Sequence, residues 1–245
     1  MKPKLLDLFC GEGGASYGYH LAGFEVVGVD LHKKSRYPFE FHQADAFEFL
    51  REHGHEFDVI HASPPCQAYS WATPKSHREN HPDFIAPIRE QLEKTGKPYI
   101  IENVGGARHL LHEPVKLCGS MFGLKTFRHR YFEVHPKIVL LTPPCRHDFQ
   151  PLLVTTAGNN SRAIRSEGNY KSVKNAPLAY GIEWMSCEGL KEAIPPAYTK
   201  FLGLKVRACL TQPAPDVWDS APLKPLSTPE VDSDLGNVPT PAPRR

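Results

Sequence analysis

The sequence predicts an α/β fold with a parallel, doubly wound sheet. Over roughly the first hundred residues, short apolar segments typical of buried strands alternate with segments of helical periodicity. Such alternation is typical of βαβ units, whose crossovers are right-handed and whose ligands bind at the carboxyl ends of the strands. A chain of 245 residues is long enough for one good-sized domain and a small appendage.

Each element follows from its local residues. We expect strands in the short apolar segments at 4–9, 25–30, 39–42, 57–62, 97–103 and 130–135. We expect helices where apolar residues recur at helical spacing, at 15–22, 44–53, 84–95, 176–185 and 188–204. In the third of these helices, Phe84, Ile85, Ile88 and Leu92 share one side. The Glu12-Gly13-Gly14 segment forms a tight turn between the first strand and the first helix.

The composition divides the chain into four regions. Residues 1–135 form the predicted core, and regular patterning weakens over 136–174. Residues 175–210 contain the C-terminal helical patterns, which we expect to pack back on the core. The last region, 211–245, holds eight prolines between Pro213 and Pro243. It has too little apolar surface to offset its ordering entropy, so we expect a disordered tail.

Bulk properties exclude several classes of protein. The net charge of +2 gives no general attraction to nucleic acid, so any such contact needs a local patch. No apolar run is long enough to span a bilayer, and the first residues do not resemble a secretory signal. We therefore expect a soluble cytoplasmic protein with reduced cysteines. Cys145 and His147 suggest zinc, but two ligands do not make a site, so we expect no metal.

A glycine turn follows the first predicted strand, over residues 7–14. Glycines there allow a ligand to approach the backbone closely, although a purely structural turn is an alternative. The turn contains Glu12 and no lysine, which disfavours a phosphate and suits the ammonium and sulfonium groups of S-adenosylmethionine. Asp30 ends the second strand, where it could accept hydrogen bonds from a ribose. Asp45 follows the third strand and could accept from an adenine amino group.

A cysteine follows the fourth predicted strand in the segment Ser63-Pro64-Pro65-Cys66-Gln67. Its two prolines stiffen the backbone and fix the direction of the next side chain. An isolated cysteine is more often a buried structural thiol. However, Glu102 ends the fifth strand, and Arg128 and Arg130 precede the last one. A nucleophile, a carboxyl proton donor and fixed cations together suit attack on an electron-poor ring.

These motifs resemble those of the cytosine-5 DNA methyltransferases. The resemblance covers the glycine turn at 7–14, Pro64-Pro65-Cys66-Gln67, Glu102-Asn103-Val104 and the Arg128-His129-Arg130 segment, in the family's order. It spans roughly residues 5–133, and the C-terminal helical part is similar to that of short phage and bacterial members. The resemblance implies a Rossmann-like, S-adenosylmethionine-dependent methyltransferase sheet with a small target-recognition insert.

The resemblance also implies roles for individual residues. Cys66 would add to carbon 6 of a flipped-out cytosine, and Glu102 would contact ring nitrogen 3. Arg130 would hold the base's oxygen, with Arg128 as its supporting partner. The residues matching the family's S-adenosylmethionine contacts are Phe9, Gly11, Gly13, Asp30, Asp45 and Pro65. Double-stranded DNA is the implied partner, bound by a monomer.

The target-recognition region departs from the family, because only residues 136–174 are available for it. A target-recognition region this short predicts a short or relaxed target sequence. The predicted DNA contacts are Gln67, Ser70 and Trp71 in a mobile loop at 67–83, and Asn159, Asn160, Arg162, Arg165, Lys171 and Lys174 in the target-recognition region. The family's last motif is also absent: Ile194-Pro195-Pro196-Ala197 replaces a Gly-Asn-rich turn, so the usual asparagine contact to the cofactor is missing.

Three functions remain open at this stage. The main hypothesis is an orphan DNA cytosine-5 methyltransferase, since the sequence contains no nuclease signature. A tRNA cytosine-5 methyltransferase would share the same catalytic residues. An inactive DNA-binding relative is the third reading, against which the intact Cys66, Glu102, Arg128 and Arg130 argue.

Overall fold

A computed structural model of the protein describes residues 1–70, 73–149, 151 and 179–210. The predicted DNA contacts Trp71, Asn159, Asn160, Arg162, Arg165, Lys171 and Lys174 lie outside these residues. So do most of the predicted target-recognition region and the Pro-rich tail.

The described residues form a seven-stranded sheet of order β3-β2-β1-β4-β5-β7-β6. Its strands are β1 Lys4–Leu8, β2 Glu25–Asp30, β3 Glu40–Gln43, β4 Val59–Ala62, β5 Tyr99–Asn103, β6 Val115–Leu117 and β7 Arg130–His135. Strands β1 to β5 are parallel, which confirms the predicted α/β class. The strand order reverses between β1 and β4, so the carboxyl ends of these two strands border the crevice where such sheets bind ligands.

Helices cover both faces of the sheet. They are α1 Gly14–Leu21, α2 Ala46–His53, α3 Lys75–Arg78, α4 Ile85–Lys94, α5 Cys187–Glu192 and α6 Pro196–Leu210. Short 3-10 turns occur at Gly54–Glu56, Gly105–Leu110 and Gly119–Phe122. Helices α2 and α4 pack on one face of the sheet, and α1 and α6 pack on the other. None of the helices within the described ranges is both long and apolar enough to cross a membrane.

The sequence prediction missed two short elements, β6 and α3, and did not specify the direction of β7. Strand β7 runs antiparallel to both of its neighbours. A strand of three residues and a helix of four carry too few residues to show a period. The antiparallel direction depends on where the intervening chain places β7, which local sequence does not record.

Two predictions for the C-terminal helices were wrong in part. The helix predicted over 176–185 does not extend through 181–185, where Gly181 has a φ of 71° that a helix does not allow. The helix predicted over 188–204 is two helices, α5 and α6. Helix α5 ends at Glu192, and its C-cap Ala193 has a non-helical ψ of 138°. Ile194 and Pro195 each precede a proline, which disfavours helical angles, and Pro196 starts α6.

Helix α6 packs closely along α1 because glycines of α1 leave no side chain in the way. A Cβ on Gly18 would lie 2.0 Å from Thr199 Oγ1 and 2.2 Å from the Pro196 carbonyl oxygen. Thr199 Oγ1 instead donates a hydrogen bond of 2.8 Å to the Ala15 carbonyl. This contact fixes the C-terminal helices next to the glycine turn that precedes α1.

Gly18→Ala should therefore destabilise the protein by about 2–3 kcal/mol, because the added methyl overpacks a backbone contact. Urea unfolding followed by circular dichroism would measure the change. Gly105→Ala is the matched control, since its Cβ would meet only Tyr131 Cε2 at 3.4 Å. Equal unfolding midpoints for the two variants would contradict the packing described here.

Candidate active site

The side chains predicted to be catalytic meet at one edge of the sheet. Cys66 lies shortly after the end of β4, and Glu102 is the residue before the last in β5. Because β7 is antiparallel to β5, its first residues lie beside the end of β5, with Asn103 opposite Tyr131. This register places Arg130, the first residue of β7, next to Glu102. The structure thus brings together Cys66, Glu102, Arg128 and Arg130.

The loop that carries Cys66 is fixed by its neighbours. Asn103 Nδ2, which is buried at the end of β5, donates a hydrogen bond of 3.0 Å to the Pro64 carbonyl. The Ser63 amide donates to the Leu8 carbonyl at 3.2 Å, and the Cys66 carbonyl accepts from the Ser70 amide at 2.8 Å. These bonds hold the Cys66 backbone against β1 and β5, so the half-buried thiol has a defined position.

Glu102 and Arg130 form a buried ion pair. Arg130 Nε lies 2.9 Å from Glu102 Oε1, and the two side chains are 13% and 7% exposed. Their alignment does not meet hydrogen-bond geometry, so among the described residues this oxygen has no hydrogen-bond donor. Burial raises the pKa of Glu102, although Arg130 and Arg128 oppose the shift. A buried carboxyl group with a raised pKa is suited to sharing a proton with a ligand.

Arg128 is held by the C-terminal segment, which the sequence did not reveal. Its Nη2 donates to the Lys191 carbonyl at 2.5 Å, and its guanidinium lies 5.4 Å from the centre of the Tyr180 ring. Tyr198 Oη donates a hydrogen bond of 2.5 Å to the Arg128 carbonyl. Residues some fifty to seventy positions away in sequence therefore orient the arginine. No local motif marks Tyr180 or Tyr198 for this role.

The electrostatics of the site favour a protonated thiol at rest. Burial raises the pKa of Cys66, and the negative charge of Glu102 raises it further. Arg130 and Arg128 act in the opposite direction but do not cancel these effects. A Cys66 nucleophile would therefore need either ligand binding or proton transfer to become a thiolate.

The predicted cofactor residues surround the carboxyl ends of β1 and β2. Asp30 Oδ2 accepts a hydrogen bond of 3.1 Å from the Gly11 amide, and Oδ1 accepts one of 3.0 Å from the His32 amide. Its carboxylate is therefore fixed at the sheet edge. Gly11 has a φ of 54°, and a Cβ there would meet no atom within 4 Å. The backbone at Gly11 borders open space, as a close approach by a ligand requires.

Phe9 and Asp45 complete this side of the crevice. Phe9 has a φ of 60°, which is rare for a residue with a large side chain, and its ring packs edge-on against Phe47. Such backbone strain is common at ligand sites. Asp45 is the N-cap of α2, where Oδ1 accepts from the amides of Phe47 and Glu48 at 2.9 and 3.1 Å. Capping gives Asp45 a structural role beside its predicted adenine contact.

Gly13 and Pro65 have different surroundings. A Cβ at Gly13 would lie 2.8 Å from Pro38 Cδ and 3.1 Å from the Tyr37 ring, so protein packing already accounts for that glycine. Pro65 is exposed at the sheet edge, beside Cys66. Of the two predicted glycine contacts, Gly11 is the one whose missing side chain opens the crevice.

Glu12 does not face the crevice in the way the sequence suggested. Its two carboxylate oxygens accept hydrogen bonds of 2.7 Å from the amide and the hydroxyl of Ser186. Trp184 Nε1 donates to the Glu12 carbonyl at 2.8 Å. The acid therefore links the glycine turn to the C-terminal segment, and the inference that its charge selects a cationic ligand was wrong.

The sequence comparisons agree with this arrangement. The family model described as C-5 cytosine-specific DNA methylase matches residues 3–139. This chain belongs to that family. Within the matched segment lie the glycine turn, Cys66, Glu102, Arg128 and Arg130, which are the residues that the fold brings to one edge.

Individual relatives match over shorter lengths. The type II methyltransferase M.FnuDI of Fusobacterium nucleatum is 33% identical over 114 residues, 42% of this chain and 33% of its own. M.AquIA of Picosynechococcus is 27% identical over 127 residues, 43% of this chain and 50% of its own. A structure titled as a DNA modification methyltransferase encoded within an E. coli prophage is 23% identical, covering 54% of this chain and 45% of its own with a TM-score of 0.41. The chain spans half or less of the length of these curated relatives.

The loop after Cys66 begins on fixed contacts. Gln67 and Ser70 are half-buried and lie close to Cys66 in the chain. Tyr69 Oη donates a hydrogen bond to Asp83 Oδ1 across the loop. A Cβ on Gly106 would lie 2.1 Å from the Tyr69 carbonyl oxygen, so the loop packs directly on the turn after β5. The predicted DNA contacts Gln67 and Ser70 thus lie at the rim of the crevice.

Alkylation of Cys66 by iodoacetamide should follow the raised thiol pKa. The labelling rate rises with pH because only the thiolate reacts, so its midpoint should lie above 9.0, the ordinary value. Peptide mass spectrometry across a pH series would measure it, with exposed Cys209 as an internal check on the reagent.

Glu102→Gln should lower that midpoint, because it removes the negative charge that opposes ionisation of Cys66. A wild-type midpoint at or below neutral pH would contradict the electrostatics described for this site.

Proposed function

We propose that this methylase transfers a methyl group from S-adenosylmethionine to carbon 5 of cytosine in double-stranded DNA, through a covalent bond between Cys66 and the base. The observation that carries the proposal is the convergence of a fixed thiol, a buried carboxyl group and two arginines at the ligand edge of the sheet. Membership of the C-5 cytosine-specific DNA methylase family supports the same reaction.

Cys66 would act as the nucleophile. Its sulfur forms a bond to carbon 6 of the ring, and the electron pair of the 5,6 double bond moves towards carbon 5 and the ring nitrogen. After carbon 5 has been methylated and has lost its proton, elimination breaks the bond between sulfur and carbon 6 and restores the double bond. The fixed backbone of the Cys66 loop supports this role, since attack needs a defined approach to the ring.

Glu102 would stabilise the charge that this attack places on the ring. Burial raises the pKa of Glu102, so the carboxyl group would share a proton with ring nitrogen 3 once a base binds. Its Oε1 pairs with Arg130 Nε at 2.9 Å but accepts no hydrogen bond from the described part of the chain. Glu102 would thereby link proton transfer to bond formation at Cys66.

The two arginines would have separate tasks. Arg130 pairs with Glu102 and would contact the oxygen on carbon 2 of the cytosine. Arg128 is anchored by Tyr180 and the Lys191 carbonyl, so it would act as a fixed positive charge beside the thiol. Both arginines lower the pKa of Cys66, and this effect would become larger when a bound base excludes water.

The crevice between β1 and β4 fits S-adenosylmethionine. Phe9, Gly11, Asp30, Asp45 and Pro65 would hold it, with the open space beside Gly11 and the fixed Asp30 carboxylate as the supporting observations. When bound, it supplies an electrophilic methyl group on a sulfonium centre. Gly13 contributes by allowing the turn to pack on Tyr37 and Pro38.

The target base must leave the DNA stack to reach this edge. The Cys66 thiol is half-buried, and a base stacked within a duplex cannot reach such a group. The loop at 67–83 would close over the extruded cytosine, and the basic residues of 136–174 would contact the DNA around it. We expect a short or relaxed target sequence because the target-recognition region is small.

Cys66→Ser should lower methyl transfer to duplex DNA by at least about 10³-fold, because the hydroxyl is a poor nucleophile at this position. Transfer of a radiolabelled methyl group from S-adenosylmethionine measures the rate, and calorimetry measures cofactor binding, which should be nearly unchanged. Cys209→Ser, at an exposed position on α6, is the matched control and should retain full activity.

The same assay distinguishes this function from the two alternatives, a tRNA methyltransferase and an inactive DNA-binding relative. Methyl transfer to tRNA but not to duplex DNA would show that the substrate is tRNA and not DNA. DNA binding without any methyl transfer by the wild-type protein would indicate an inactive relative. Full activity of Cys66→Ser would overturn the covalent mechanism.

A further inference from the structure

A second cluster of reactive side chains lies outside the catalytic set. Cys118, His129, Cys145 and His147 each direct one potential ligand atom to a common point, and these atoms all lie within 4.8 Å of one another. We call these residues the Cys-His cluster. Sequence spacing suggested only its last two members, since the other two come from distant elements.

The separations within the Cys-His cluster are near those of a tetrahedral zinc site. Cys145 Sγ lies 2.9 Å from His147 Nε2 and 3.3 Å from His129 Nε2, and Cys118 Sγ lies 3.6 Å from His147 Nε2. With usual zinc–sulfur and zinc–nitrogen bonds, ligand atoms at tetrahedral angles are about 3.3–3.8 Å apart. Small shifts of side chains would therefore place all four atoms around one ion.

The surroundings of the Cys-His cluster also suit a metal. Ser120 Oγ lies 3.2 Å from Cys118 Sγ and 3.8 Å from Cys145 Sγ, where its hydroxyl can donate to a thiolate. The centre of the Phe127 ring lies 4.2 Å from the centre of the His147 ring. Outer contacts that orient ligands in this way are typical of metal centres.

We propose that Cys118, His129, Cys145 and His147 bind one Zn²⁺ as a closed structural site. Two thiolates and two imidazoles are a common zinc ligand set, and a site with four protein ligands leaves no position for a substrate. The sequence-based expectation of no metal rested on Cys145 and His147 alone. The fold adds Cys118 from the end of β6 and His129 from the start of β7.

The site would anchor a segment that has no regular secondary structure. Residues 136–149 contain no helix or strand, and Val139 and Leu141 are 85% and 84% exposed. This segment leads from β7 into the predicted target-recognition region. A zinc ion bound by Cys145 and His147 would fix it to the sheet edge at Cys118 and His129.

The site would also stabilise the catalytic arginines. His129 lies between Arg128 and Arg130 in the chain, and Arg130 Nη1 donates a hydrogen bond of 3.0 Å to the His129 carbonyl. A ligand bond on the His129 ring would restrict the backbone that carries both guanidinium groups. The Cys-His cluster thus connects the start of the target-recognition region to the catalytic edge.

Metal analysis of the untagged full-length protein tests the proposal. After expression with zinc and purification without chelators, inductively coupled plasma mass spectrometry should find one zinc per chain. Replacement of zinc by Co²⁺ should give the absorption bands of a tetrahedral ion with sulfur ligands. Cys145→Ser should lower zinc affinity at least about tenfold and weaken the sulfur-to-cobalt band.

Two variants control this experiment. Cys209→Ser removes an exposed cysteine remote from the Cys-His cluster and should keep the full zinc content. Cys145 lies in a segment without regular secondary structure, so its serine variant should keep the wild-type circular dichroism. Cys118→Ser, at a buried position, should show the same loss of zinc.

Three results would overturn the zinc site. The first is a reduced wild-type chain that neither contains zinc nor binds added Zn²⁺. The second is equal zinc content in wild-type and Cys145→Ser protein, which would indicate adventitious binding elsewhere. The third is a disulfide between Cys118 and Cys145 in protein isolated under reducing conditions, since a disulfide would remove both thiolate ligands.

Discussion

The ion pair between Glu102 and Arg130 lies where β5 and β7 run antiparallel. It joins these two strands at the sheet edge where Cys66 lies, and both charges act on the Cys66 thiol. Both side chains are almost completely withdrawn from water, so each depends on the other for compensation of its charge. Removing one partner of such a pair typically costs about 3–5 kcal/mol, because the remaining charge stays buried. Burial raises the pKa of Glu102, and the positive charge of Arg130 opposes that shift. A carboxyl group in this position is suited to sharing a proton with a ligand.

The C-terminal helices depend on this edge and also support it. Helix α6 reaches it by packing on the glycine side of α1, and Tyr198 and Tyr180 then contact Arg128. Glu12 joins the glycine turn to Ser186 in the same part of the chain. The glycine turn and Arg128 are therefore held by the same C-terminal segment, through Ser186 and the Lys191 carbonyl.

Most of the fold was predictable because buried parallel strands leave strong local patterns. Strands such as Arg130–His135 were predicted at their observed bounds, and the parallel sheet placed Asp30, Cys66 and Glu102 at one edge. Other features depend on tertiary contacts and leave no local signal. The antiparallel β7, the contact of Glu12 with Ser186 and the support of Arg128 by Tyr180 are of this kind. The Cys-His cluster is another, because its ligands come from three separate parts of the chain.

A covalent trap at Cys66 tests the central claim most directly. Duplex DNA that carries 5-fluorocytosine has no proton to lose from carbon 5, so elimination is blocked and the bond to sulfur should persist. With S-adenosylmethionine present, we predict a stable protein–DNA adduct that survives denaturation and maps to Cys66 by peptide mass spectrometry. The adduct should be absent from Cys66→Ser protein. Methylation of ordinary cytosine by a protein that forms no adduct, or an adduct at another residue, would contradict the account.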